Sequence, residues 1–153
     1  METWFSTLIR QLILYSLPIF LTLGSVAFVE QYFLQKQKVK ASIRTAWHGV
    51  WLPFAASIMF GRAIIFALPY PNITGLKGAL VRFSAHLLLC LIGWILYTWS
   101  LSHQPMSGLP PLHHWWAKIL MYLNLCMLAL HLLPLPNFVI GESLLSLQIL
   151  KTH

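Results

Sequence analysis

Four apolar runs dominate the chain, Leu12–Val29, Val50–Leu68, Ala79–Leu101 and Ile119–Leu135, and most charged and turn-forming residues lie in the breaks between them. A helix needs roughly 20 such residues to cross the hydrocarbon core of a bilayer, and each run approaches or exceeds that length. The pattern predicts helical spans over 12–33, 50–68, 79–101 and 117–136. The breaks are a basic loop with Lys36, Lys38, Lys40 and Arg44, a Pro-Tyr-Pro-Asn turn at 69–72, and a loop from Ser102 to Trp115 that contains Pro and His. Beyond Pro136 the apolar segment 138–150 is too short to span, and a short helix, partly buried or interfacial, is expected there. Trp4, Trp47, Trp99, Trp115 and Trp116 fall near the ends of runs, where amphipathic rings anchor at the membrane surface.

Composition turns this pattern into a class. Of the 153 residues, 58% are hydrophobic and 8% charged, against roughly 25% charged in a soluble domain. The expectation is an all-α integral membrane protein with one domain over 1–153, a small polytopic bundle of three or four transmembrane helices. The net charge of +7 does not indicate nucleic acid, because the basic residues lie between apolar runs and form no stripe interleaved with exposed aromatics. Cys90 and Cys126 fall within apolar runs and read as packed thiols, not a disulfide. The first run is too long for a cleavable signal.

Basic residues between spans set topology. If all four runs cross, Arg10, Lys77, Arg82 and Lys151 oppose Lys36, Lys38, Lys40, Arg44 and Lys118, which orients nothing. If the second run, with Pro53, Gly61 and Arg62, dips in and returns, then Lys36, Lys38, Lys40, Arg44, Lys77, Arg82 and Lys151 lie together, against Arg10 and Lys118. That asymmetry follows the positive-inside rule. Segment 50–68 is therefore expected to be re-entrant or tilted, with the basic loop 34–46 in the cytoplasm of a bacterial inner (plasma) membrane and the lipid bilayer around the spans.

The chain has three acidic residues, Glu2, Glu30 and Glu142, and no aspartate. Glu30 closes the first run, within Val29-Glu30-Gln31-Tyr32-Phe33. An ionisable side chain at the edge of a span is costly and by default marks a functional site; the alternative is a solvated helix end. The fourth run closes with His131-Leu-Leu-Pro134-Leu-Pro136-Asn137-Phe138-Val139-Ile140-Gly141. This resembles the N-x-x-P-x-P-x-x-D-G signature of the site-2 protease family of intramembrane zinc metalloproteases. Asn124-Leu125 stands where such proteins often carry an Asn-Leu pair, and Val29–Phe33 falls where they carry H-E-x-x-H. Leu68-Pro69-Tyr70-Pro71-Asn72 resembles the family's Pro-x-Pro turn, and Ala79-Leu80-Val81 the start of its central span. The likeness runs in order through most of residues 12–150.

The resemblance implies a site-2-protease-like core. In the family the two His of H-E-x-x-H and the Asp of the D-G pair hold zinc, and the Glu acts as general base. Here the ligand positions are Val29, Phe33 and Val139, and neither an isopropyl group nor a phenyl ring donates a lone pair. Only the base position, Glu30, is retained. Ala85, His86 and Leu89 replace the Gly, Pro and Asn of the family's central span. The expectation is a catalytically inactive pseudoprotease that binds or stabilises a transmembrane partner or membrane complex. Glu30, His131, Asn137 and Glu142 would be its polar binding residues, with no catalytic residue, metal, zinc or other cofactor.

Two other functions compete. One is an atypical metalloprotease of the same family, with ligands relocated to His131, Glu142 and Glu30. The other is a haem- or quinone-associated membrane subunit using His48, His86 or His131. The ordinary readings of single residues are that Arg62 and Arg82 snorkel to headgroups, that His131 bonds to a neighbouring helix, and that His113 and His114 lie at the interface.

Overall fold

Among the described residues three long helices and a short one form in the order α1 (Trp4–Lys36), α2 (Gly75–Ser102), α3 (Leu112–Leu130) and α4 (Val139–Lys151). The computed structural model describes residues 4–36, 75–103, 108–136 and 138–151, and these are all-helical, without a strand. The run 50–68, the loop positions Lys38, Lys40 and Arg44, His48, Arg62, the turn at 69–72 and Asn137 lie outside the described residues.

Each long helix is sorted by a stripe of buried positions three or four residues apart, the spacing that lines one face of an α-helix. On α1 the stripe is Ile19, Thr22, Leu23, Val26 and Glu30; on α2 it includes Ala79, Arg82, Ala85, His86, Leu89 and Gly93; on α3 it is His114, Ala117, Leu120, Leu123, Asn124 and Met127. Ile19, Leu23 and Leu123 meet in an apolar core, with Tyr15 and Ile119 packed against it.

Side-chain contacts set the helix directions. Glu30 near the end of α1 meets Arg82 near the start of α2, so these helices are antiparallel. Trp116 Nε1 donates to the carbonyl of Ile13 at 2.9 Å, and Asn124 reaches Thr22, so α1 and α3 run parallel. The Ile13 carbonyl lies beside that of Leu14, whose helical donor is removed by Pro18 inside α1. Ser100 meets His114 and His86 meets Asn124, so α3 returns antiparallel to α2. The end of α1, the start of α2 and the close of α3 therefore share one end of the bundle.

The predicted boundary of the last span moves. It extends to 136 in the sequence reading, but α3 stops at Leu130 and residues 131–136 form turns. Pro134 supplies no N–H, and its ring collides with the carbonyl four residues earlier, that of Leu130. His131 closes the helix, its N–H shared between the carbonyls of Met127 and Leu128 at 3.2 and 3.1 Å. At the other boundary no proline or glycine stands between Trp4 and Leu12, and α1 begins well before the predicted residue 12. Of the two thiols, Cys90 is half-buried and Cys126 exposed, both free.

Among the described residues two helices, Phe5–Phe33 and Gly75–Ser102, are long and apolar enough to cross a membrane. The backbones of α2 and α3 approach closely at Gly93, where a Cβ would stand 2.7 Å from the backbone nitrogen of Met121 and 3.2 Å from the carbonyl oxygen of Ala117. Gly93→Ala is therefore expected to destabilise the fold by about 1–3 kcal/mol, as overpacking does, although alanine is the better helix former. Thermal unfolding of the purified variant reads this; an unchanged midpoint would mean that the two helices sit further apart.

Candidate functional site

Polar and ionisable side chains gather inside the bundle, on the stripes just described. At the end shared by α1, α2 and α3, Arg82 Nη1 donates to Glu30 Oε1 at 2.8 Å, with the two side chains 3% and 1% exposed. Neither single-residue expectation holds, since Glu30 is not a solvated helix end and Arg82 does not snorkel. Antiparallel packing brings the two to one level. A buried charge without a partner is strongly destabilising, whereas a paired and hydrogen-bonded one is tolerated.

One turn along α2 lies His86, buried, with Nδ1 2.8 Å from Asn124 Oδ1. The amide of Asn124 is oriented by its other contacts. Nδ2 lies 2.8 Å from the Leu120 carbonyl, which can only accept, and 3.0 Å from Thr22 Oγ1. Oδ1 is therefore the acceptor facing His86, and His86 Nδ1 carries the proton. Three helices are tied together through this one amide.

His131 is fully buried at the close of α3. Phe83 and Phe138 meet its ring edge-on, with centroids 5.7 and 5.1 Å away, and the His86 ring is tilted against it at 6.0 Å. Both ring nitrogens lack a hydrogen-bond partner. The expected bond from His131 to a neighbouring helix is thus not made. The chain turns at this residue because the helix must stop before Pro134, and the turn lays the ring between Phe83 and Phe138, which offer no acceptor atom.

After that turn the chain folds back on itself. The N–H of Phe138 donates to the Leu135 carbonyl at 3.2 Å, and that of Ile140 to the His131 carbonyl at 3.4 Å. Val139 opens α4 half-buried, and its carbonyl accepts from Ser143 Oγ at 2.7 Å. Glu142, also half-buried, lies in the first turn of α4, where a carboxylate complements the helix dipole. Asn137 is outside the described residues. Val29 and Phe33 are half-buried on α1. Val29 lines a groove of about 470 Å³ between α1 and α2, which also includes the small residues Gly24, Ser25 and Ala85.

The chain matches no protein-family model, no curated protein and no solved structure.

Among the expected site residues, Glu30 and His131 both border the Arg82–His86 turn of α2, one through the ion pair and the other through ring contacts with Phe83 and His86. Val29, Phe33 and Val139, where the resemblance would place zinc ligands, carry hydrocarbon side chains with no donor atom. The single-residue readings left out Thr22 and Asn124 as polar partners, and the Ser100–His114 contact at the far end, 3.2 Å from Oγ to Nδ1. A signal for them exists in the sequence. Thr22 and Glu30, Arg82 and His86, and Asn124 and His131 are polar residues separated by whole helical turns within apolar runs, which places each pair on one face.

Proposed function

We propose that this chain is an integral membrane protein, a catalytically silent scaffold resembling the site-2 protease core, which holds a transmembrane segment of a partner protein. The observation that carries the reading is an inverted distribution of polarity. Glu30, Arg82, His86, Asn124 and His131 are buried, while Leu87, Leu88, Leu91, Trp94, Ile95 and Trp99 on α2 face outward. In water such a contiguous apolar surface would be an aggregation liability; lipid accepts it, and a bundle interior accepts paired polar groups.

The kinship with the protease scaffold is supported by convergence. The end of α1 and the proline-rich close of α3 both reach the same turn of α2, as a zinc site shared between H-E-x-x-H and D-G segments would require. Silence is supported by the hydrocarbon ligand positions and by Arg82, which occupies the carboxylate that would otherwise act as general base. The shared end of the bundle also carries Lys36 and Lys77 at the flanks of α1 and α2, with Arg10 toward the other end of α1. We assign the Lys36–Lys77 end to the cytoplasm of a bacterial inner membrane, following the positive-inside rule.

The partner segment is assigned to the groove between α1 and α2, because small residues let a further helix approach closely where lipid offers no hydrophobic driving force. Gly24 makes the groove testable, since a Cβ there would meet no atom within 4 Å. Gly24→Leu is expected not to lower thermal stability and to abolish a photo-crosslink formed from position 88 to a single-span protein in native membranes. A crosslink that persists in Gly24→Leu would remove the groove as the docking site. Zinc at one per chain, together with cleavage of a helical membrane substrate that chelators and Glu30→Gln abolish, would replace the silent scaffold with an enzyme.

A further inference from the structure

We infer that His86 and His131 form a binding site for one monovalent soft metal ion of the copper(I) type. The site follows from the tautomer fixed above and from an unexplained burial. The Leu120 carbonyl orients the Asn124 amide, Asn124 Oδ1 takes the proton of His86 Nδ1, and the lone pair of His86 is left on Nε2. This is the outer-shell arrangement that metal-ligating histidines use, the second ring nitrogen donating to a carbonyl that sets tautomer and ring angle. The second imidazole is His131, with both nitrogens buried and unpartnered. A polar side chain so placed is exceptional unless something binds it, and the rings of His86 and His131 lie 6.0 Å apart between centroids, a separation one ion can bridge.

The donor set and the surroundings select the ion. Among the described residues no group of three or more His, Cys, Asp or Glu could hold a metal, so zinc, which takes three protein ligands even in its open catalytic sites, is not satisfied. An ion content with two imidazoles is. Met127 is buried on α3 one helical turn before His131, and soft or imidazole donors favour copper(I). A single positive charge is also cheaper to bury than a double one. The Arg82 guanidinium nearby is balanced by Glu30. Phe83 and Phe138 close the other sides of the His131 ring and keep water away from an ion bound there. The site uses α2 and α3 alone and does not depend on the partner or on kinship with a protease.

The test is anaerobic titration of the detergent-purified full chain with copper(I) against a chromophoric copper(I) chelator, with zinc(II) run in parallel. One copper(I) per chain and no stoichiometric zinc(II) is the expected result. His131→Phe, which keeps an aromatic ring between Phe83 and Phe138, and His86→Gln are each expected to abolish uptake while unfolding cooperatively. Asn124→Ala is expected to weaken uptake by about 10–100-fold, as loss of an outer-shell partner does. The inference is overturned if the wild-type chain takes no copper(I), if folded His131→Phe takes it equally well, or if zinc(II) binds one per chain instead.

Discussion

Arg82→Leu is expected to lower stability by about 3–5 kcal/mol, the range seen when one partner of a buried ion pair is removed and the other charge is left in a dry interior. Glu30 is 1% exposed, so its carboxylate would lose a charge-assisted hydrogen bond inside the bundle. Replacing both partners together, Arg82→Leu with Glu30→Leu, is expected to recover most of that loss, because well-packed apolar pairs of similar size often equal or exceed buried ion pairs in stability. A double-mutant cycle on thermal unfolding in detergent isolates the coupling. Equal and additive losses from the two single variants would mean that the two side chains do not interact as described. A cycle with strong coupling would also bear on function, since a carboxylate committed to a guanidinium is not available to deprotonate water.

Gly141→Ala is the second variant expected to have a large effect, at or above the upper end of the roughly 1–3 kcal/mol typical of overpacking. A Cβ at this position would collide with the carbonyl oxygen of Leu135 and stand 3.0 Å from its backbone nitrogen. Both are backbone atoms of the turn that follows α3, so no side-chain rotation relieves the clash. Relief requires α4 to move away from the proline-rich turn, which would separate Phe138 from His131 and open the aromatic wall around that imidazole. The outcome is therefore expected to include loss of protection at residues 131–140 in hydrogen exchange, as well as a lower unfolding midpoint. Gly24→Ala serves as the control, because that position is open and alanine improves helix propensity by about 1 kcal/mol.

The helices were legible wherever one run was bounded by its own punctuation. Spans predicted over 12–33 and 79–101 correspond to Trp4–Lys36 and Gly75–Ser102, because runs this long and apolar stay helical through single breakers such as Pro18, Gly24 and Gly93. The last span ends six residues short of its predicted boundary, because the apolar pattern does not register the ring of Pro134 whereas the Leu130 carbonyl does. Glu30 stood out as an isolated carboxylate, yet its partner did not. Arg82 is 52 positions away, and a single helix read by hydropathy does not reveal which of its faces meets a neighbour. The same limit hid the Thr22–Asn124–His86 chain, whose members come from three helices. The orphaned nitrogens of His131 were illegible for a different reason. They result from where the turn before Pro134 aims one ring, and a helical hydrogen bond was the natural expectation for a histidine in an apolar run.

If Val29, Phe33 and Val139 stand where a hydrolase-like membrane scaffold would hold a metal, restoring donor atoms at these three positions should restore metal binding. The triple variant Val29→His, Phe33→His, Val139→Asp, purified in detergent and analysed for bound metal, is expected to retain one zinc per chain, with none in the wild-type protein. A triple variant that unfolds like the wild type yet takes up no zinc would mean that these three positions do not converge, and the account would fail.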